Sequence, residues 1–207
     1  MVLLAFSLLF ATGDWPLPVE REPCRQTPAP GLPGGDDLVF LPTDSSLVPA
    51  IFPAGALERF TCMWFSHELH TLGDGPLEPE TGASLYRFTW LRSFQSPVRY
   101  RLGLPDDGTA GWVDWAVVTT RDGLRSAPTT GHRDLTETET ADLRAAATRA
   151  DLCAISVELD TYGLDGEEWL YESVSEANYC FAHRWSPPEG EFRSFGAGLI
   201  EITELAP

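Results

Sequence analysis

Apolar and polar positions alternate with period two at Tyr86, Phe88 and Trp90, with Arg87 and Thr89 between them. The alternation returns at Val98, Tyr100 and Leu102, around Arg99 and Arg101. Successive side chains on a strand point to opposite faces, so each segment predicts a strand with one buried face. Gln95-Ser96-Pro97 turns the chain between them, and Pro105-Asp106-Asp107-Gly108 is a second turn. A third strand is predicted over 112–120. Strands joined by such short turns pair antiparallel. A second hairpin is predicted from 169–174 and 179–185, turning around 175–178.

Helical spacing takes over elsewhere. Leu57, Phe60, Met63 and Trp64 predict an amphipathic helix over 57–72, with Gly73 as its stop. Thr136-Glu-Thr-Glu139 reads as a capping box that opens a helix running to about 152. Its apolar stripe, Leu143, Ala147 and Ala150, is narrow enough to lie close to a sheet. Phe192, Phe195, Leu199 and Ile202 predict a last helix after Pro187 and Pro188. The order is helix, three strands, helix, two strands, helix. That order argues an α+β fold: an antiparallel sheet of about five strands in two hairpin or meander groups, with helices mainly on one face.

The start of the chain is different in kind. Residues 2–10 are an apolar run, followed by small residues at Ala11-Thr-Gly13. Residues 1–13 therefore read as a signal peptide, although no Arg or Lys precedes the run. The alternative is a buried N-terminal element of a cytoplasmic protein. The run is too short to cross a bilayer, so no transmembrane segment is expected. Residues 14–53 are rich in Pro and Gly and read as an arm or linker, with 39–41 and 47–52 as the stretches expected to dock on the rest. Residues 54–207 are expected to form a single α+β domain.

Charge narrows the partners. Of 207 residues, 31 are acidic and 14 basic, a net charge of -17, and every basic residue is Arg. Such a chain repels phosphate backbones, so nucleic acid is not an expected partner. Its densest basic cluster, Arg87, Arg92, Arg99 and Arg101, alternates with the aromatic positions and is expected on a solvated sheet face. An acidic surface suits a basic protein partner. The four cysteines, Cys24, Cys62, Cys153 and Cys180, contain no Cys-x-x-Cys spacing. An even count fits disulfides in an oxidising compartment, with Cys153–Cys180 and Cys24–Cys62 as the expected pairs. Four buried thiols in a cytosolic protein are the alternative.

Three segments together resemble a known group: Tyr86-Arg-Phe-Thr-Trp-Leu-Arg-Ser-Phe94, Gly163-Leu-Asp-Gly166 with Trp169, and Arg184-Trp-Ser-Pro187 before an amphipathic helix. The pattern resembles a family of uncharacterised bacterial proteins and covers about residues 57–205. The family has no established activity, so the resemblance implies no functional residue. Its members often look exported, which agrees with a signal peptide. Asn178-Tyr-Cys-Phe181 and the non-basic start depart from that pattern.

Candidate chemistry is sparse. His67 and His70 share a helix face and offer two ligands to a metal, with no third nearby. Asp165 and Glu172 crowd the hairpin that carries His183, with Asp160, Glu167 and Glu168 beside them. Such a group suits a hydrolase if a cleft separates the carboxylates' acidities. The plainer reading makes Asp165-Gly166 a turn, pairs Glu172 with an Arg across the sheet, and makes His183 a core or rim histidine with one partner. Cys180 and His183 are three apart on a strand and face opposite ways, which removes a Cys–His dyad. No Gly-x-Ser-x-Gly elbow or phosphate loop is present. Arg184, Trp185 and Trp112 are the candidate binding anchors, since Trp and Arg favour interfaces. No cofactor is expected. The leading expectation is an exported, periplasmic or secreted, non-catalytic binding or cell-envelope domain. The alternatives are a cytoplasmic acidic immunity-type protein that binds a basic partner, and a hydrolase built around the 168–185 hairpin.

Overall fold

A computed structural model describes residues 14–16, 51–52, 59–121, 124–155, 165–175 and 178–203. The expected signal peptide, most of the arm, Asp160 and Cys24 lie outside the described residues. Three helices are described: α1 (Arg59–Thr71), α2 (Glu137–Ala150) and α3 (Glu191–Thr203). The strands are β1 (Asp14–Pro16), β2 (Ala83–Arg92), β3 (Val98–Pro105), β4 (Trp112–Val117), β5 (Thr120–Arg121), β6 (Leu124–Arg125), β7 (Thr129–Asp134), β8 (Glu167–Val174) and β9 (Asn178–Trp185).

Seven of these strands form one antiparallel sheet in the order β1-β9-β8-β2-β3-β4-β7. The meander β2-β3-β4-β7 and the hairpin β8-β9 meet along β2, so the fold is α+β as the pattern predicts. Two strands of the sheet exceed the five expected. Edge strand β7 carries Thr129-Thr-Gly-His-Arg-Asp134, which is almost wholly polar and exposed and so gives no apolar alternation. Strand β1 comes from the arm. The β5–β6 ribbon stands apart from the main sheet.

The register explains the first core. Phe88 lies between Tyr100 and Tyr171, and Trp90 between Val98 and Trp169. These rings share one face and stack closely, with Phe88–Tyr171 centroids 4.7 Å apart. Leu143, Ala147 and Ala150 of α2 and Phe195 and Leu199 of α3 cover them. Gly196 lets α3 approach this closely. A Cβ there would meet the Tyr171 hydroxyl, with Trp169 Cζ3 at 2.6 Å and Phe88 Cε1 at 3.0 Å. Gly196→Ala should therefore cost about 1–3 kcal/mol, the range for overpacking a tight core. A urea denaturation curve that matches the wild type would show that α3 can shift freely.

Helix α2 begins as its sequence prescribes. Thr136 Oγ1 accepts from the Glu139 N–H, and Glu139 Oε2 accepts from the Thr136 N–H at 2.8 Å. Arg133 donates to Glu139 as well. That bond first, then the Thr136 donors, hold the Glu139 carboxyl down from 4.5 to about 2. A depressed carboxylate stabilises the fold fully above its unfolded value and loses that contribution as pH falls through the folded one. Glu139→Gln removes this titration. Its stability should fall less than the wild type's between pH 4.5 and 2, read by urea denaturation at stepped pH.

The opposite sheet face is also covered. Phe65 and Leu69 of α1 pack there with Leu85, Leu91, Leu170, Val174, Tyr179 and Phe181. Ile51 and Phe52 are buried in the same cluster, and the rest of the stretches expected to dock lies outside the described residues. Two helices thus pack on one face and α1 on the other. The Cys153–Cys180 disulfide joins the short turn after α2 to β9, with Cα atoms 5.1 Å apart. Cys62 is disulfide-bonded too, and its expected partner Cys24 lies outside the described residues. No helix among the described residues is long and apolar enough to cross a membrane.

Candidate functional site

The face beneath α1 carries a chain of charges. On β2, β3, β4 and β8, alternation directs Arg87, Arg99, Arg101, Asp114 and Glu172 to this side. The expectation that these arginines decorate a solvated face is corrected. Arg87 is 0% and Arg99 5% exposed, because α1 and the segment after it roof this part of the sheet. Arg92 faces the other way and lies 4.3 Å over the Trp90 ring.

Burying guanidinium groups requires partners, and each has them. Arg87 Nε donates to Glu172 Oε2 at 2.5 Å, and Arg87 Nη1 donates to the Gly75 carbonyl. Glu172 is itself fully buried and also accepts from the Tyr179 hydroxyl at 2.5 Å. Arg87 and Glu172 are direct cross-strand neighbours, so the Arg expected across the sheet from Glu172 is Arg87. Arg101 Nη2 binds Asp114 Oδ2 at 2.9 Å, and Arg99 also donates to Asp114. Asp74, just after α1, projects its carboxylate among all three arginines. It lies 2.9 Å from Arg99, 3.5 Å from Arg87 and 3.6 Å from Arg101. Burial is the largest influence on Arg99 and takes it down to about 10, against the pull of Asp74. Burial likewise pushes the Glu172 carboxyl up, and Arg87 opposes it.

His183 sits on the same face, nearer one end of β9. Its Nε2 lies 2.6 Å from Glu168 Oε2, and its ring packs edge-on against Phe65 of α1 at 4.8 Å. His183 is 2% exposed, and its Nδ1 is buried with no hydrogen-bond partner. The carboxylate beside His183 is thus Glu168, while Glu172 belongs to the arginine network. Asp165 is exposed in the turn before β8. The three residues of the hydrolase reading therefore occupy three different settings. Glu167 faces the other side, where it accepts from Trp90 Nε1 at 2.7 Å and from Arg193 at 2.8 Å.

The candidate binding anchors are also apart. Trp112 lies over Gly103, where an added Cβ would clash with its ring and come within 2.7 Å even of Cζ2, and beside His132 at 6.0 Å. Trp185 is half-buried at the far end of β9, four strands from β4 in the sheet. At about 4.8 Å per strand that is roughly 19 Å. Arg184 faces opposite to Trp185 and donates to the His183 carbonyl at 2.6 Å. On α1, His67 is half-buried and His70 exposed. Among the described residues no group of three or more His, Cys, Asp or Glu is placed to hold a metal ion.

Asp114 and Asp74 are the network members that sequence reasoning missed. Asp114 had a signal: it is the polar residue inside Trp112-Val-Asp-Trp115, opposite Arg101 in the register. Asp74 had none, since a Gly-Asp-Gly segment reads as an ordinary turn. No family model matches this chain, and no curated protein matches it.

Proposed function

We propose that this chain is an exported, non-catalytic binding domain whose partner presents a basic surface. The observation that carries the reading is the partition of charge. Arg87, Arg99, Arg101, Arg125, Arg133 and Arg193 are all engaged by carboxylates of the chain itself. Glu80, Asp106, Asp107, Glu137, Asp142 and Asp151 stand exposed. Among the described residues, acidic side chains are therefore displayed while much of the positive charge is spent internally. A surface of this kind speeds and orients encounter with a cationic partner.

Two further features support the reading. Cys62, Cys153 and Cys180 are oxidised, which favours an oxidising compartment over the cytosol. The same charge partition would serve an immunity-type protein, and the disulfides are what favour export. The carboxylates nearest the hydrolase reading, Glu172 and Glu168, already have partners in Arg87 and His183. Crosslinking in native cells, followed by mass spectrometry, tests the proposal. The chain should be recovered with its cysteines oxidised, joined to a basic protein that high salt releases beforehand. Recovery from the cytoplasm with free thiols would overturn export. A partner contact indifferent to salt would overturn the electrostatic reading.

A further inference from the structure

The arginine network holds one carboxylate differently from the others. Glu172 and Asp114 lie on strands and bind their arginines through aligned hydrogen bonds. Asp74 lies on neither a strand nor a helix. It follows Gly73, whose φ of +74° forms the left-handed exit from α1, and precedes Gly75 and Pro76. Its backbone is tied to the helix end by Asp74 N–H to Leu69 O at 2.8 Å. Its side chain is tied less well. Oδ1 accepts from the Gly75 N–H at 3.0 Å, and buried Oδ2 has no hydrogen-bond partner. The contacts of Asp74 to Arg99, Arg87 and Arg101 are thus charge contacts without alignment.

The charge count is equally specific. With Asp74 in place, three guanidiniums face three carboxylates. Without it, among the described residues Arg87, Arg99 and Arg101 face only Glu172 and Asp114, which leaves one positive charge uncompensated. Arg101 keeps 39% of its side chain exposed, so the space around Asp74 borders solvent. Gly73 is exposed, Gly75 half-buried and Pro76 exposed, so this segment lies at the surface with only the Asp74 carboxylate turned in. The Arg87 bond to the Gly75 carbonyl is a further tether.

We propose that Arg87, Arg99 and Arg101 form a carboxylate-binding site that Asp74 fills in cis. A free carboxylate reaching from the Arg101 side takes the place of the Asp74 side chain when that side chain is withdrawn. Guanidinium groups suit this ligand because their planar donors match a carboxylate's two oxygens. The inference goes beyond the binding of a basic partner and does not depend on it.

Chemical rescue tests the site on the full, disulfide-intact chain. Asp74→Ala is melted in rising formate, with chloride replacing formate so that ionic strength stays constant. The melting temperature should rise and saturate, with half-saturation at roughly millimolar formate, near the ceiling for so small a ligand. Wild type should not respond, and Asp74→Ala with Arg99→Met should lose the response. Acetylglycine against acetylglycinamide separates a peptide C-terminus from a small acid: rescue by the free acid alone extends the site to C-termini, and rescue by formate alone confines it to small acids. If Asp74→Ala does not fold in chloride, the yield of folded protein refolded in formate becomes the readout, and formate should restore it. Formate and chloride acting alike on Asp74→Ala, or an undiminished response in the double variant, would overturn the proposal.

Discussion

Arg87→Ala should lower the unfolding free energy by about 3–5 kcal/mol, the cost of stranding one member of a buried ion pair. Both partners, Arg87 and Glu172, are fully buried. Truncating Arg87 leaves Glu172 with the Tyr179 hydroxyl and no cation, and it frees the Gly75 carbonyl. Burial already pushes the Glu172 carboxyl above its ordinary value, and Arg87 is the strongest force pulling it back. Without Arg87 the carboxyl must rise further. A folded-state value above the unfolded one means that the folded protein binds more protons, so stability falls as pH rises between the two values. The deficit of Arg87→Ala should accordingly shrink as pH falls towards 4.5 and Glu172 takes up its proton. Arg87→Met with Glu172→Met removes both charges and should recover most of the loss. Urea denaturation of the two variants from pH 4.5 to 8 separates the outcomes. A single-variant loss under about 1 kcal/mol, the scale of an exposed pair, would mean that water reaches Glu172.

The same pair shows how much of the molecule the sequence discloses. Strands β2, β3, β8 and β9 are legible because aromatic rings alternate with polar residues; the register gathers the rings of β2, β3 and β8 in one core and puts Tyr179 and Phe181 of β9 in the core on the opposite face. The capping box of α2 is legible because it depends on residues three apart. An Arg partner across the sheet could be expected for Glu172, but nothing in the sequence named Arg87, which alternation placed on the face expected to be solvated. The fate of the remaining arginines could not be read. An Arg that alternates with aromatics looks solvated until something is known to cover that face. The cover is α1 with the Asp74 segment, and nothing local says on which side of the sheet a helix will lie. Strand β7 was hidden for the opposite reason. As an exposed edge it needs no apolar residue, so it leaves no pattern.

The candidate site divides in the same way. That Cys180 and His183 point apart follows from strand periodicity alone, and the register agrees. That His183 meets Glu168 and not Glu172 follows from side-chain reach. Both carboxylates lie on the His183 face, but Arg87 and Tyr179 engage Glu172. Competition of this kind is settled by desolvation and charge, which favour the guanidinium in the dry centre of the sheet. The histidine is left with the carboxylate nearer the rim, Glu168, whose side chain is 12% exposed.

Replacing Cys153 and Cys180 together by Ala should cost about 3.5 kcal/mol, because their bond closes a loop with a sequence separation of 27. In the chain-entropy account the bond acts on the unfolded chain, whose ends at 153 and 180 it holds together. In the folded state it fixes the turn after α2 to β9, two elements from distant parts of the order. Cys180 is 1% exposed and Cys153 half-buried, so packing would hold the folded positions for some time after reduction. The double variant should therefore keep its fold at 25 °C and lose its stability chiefly through a freer unfolded state. Its urea m-value should rise as the unfolded chain expands. Wild type treated with reductant should lose more than the double variant, because the bond at Cys62 opens as well. A loss under about 1 kcal/mol in the double variant, well below the range for native disulfides, would show that this bond does not constrain the unfolded chain. It would also weaken the case for an oxidising compartment, since that case needs a fold that depends on its disulfides.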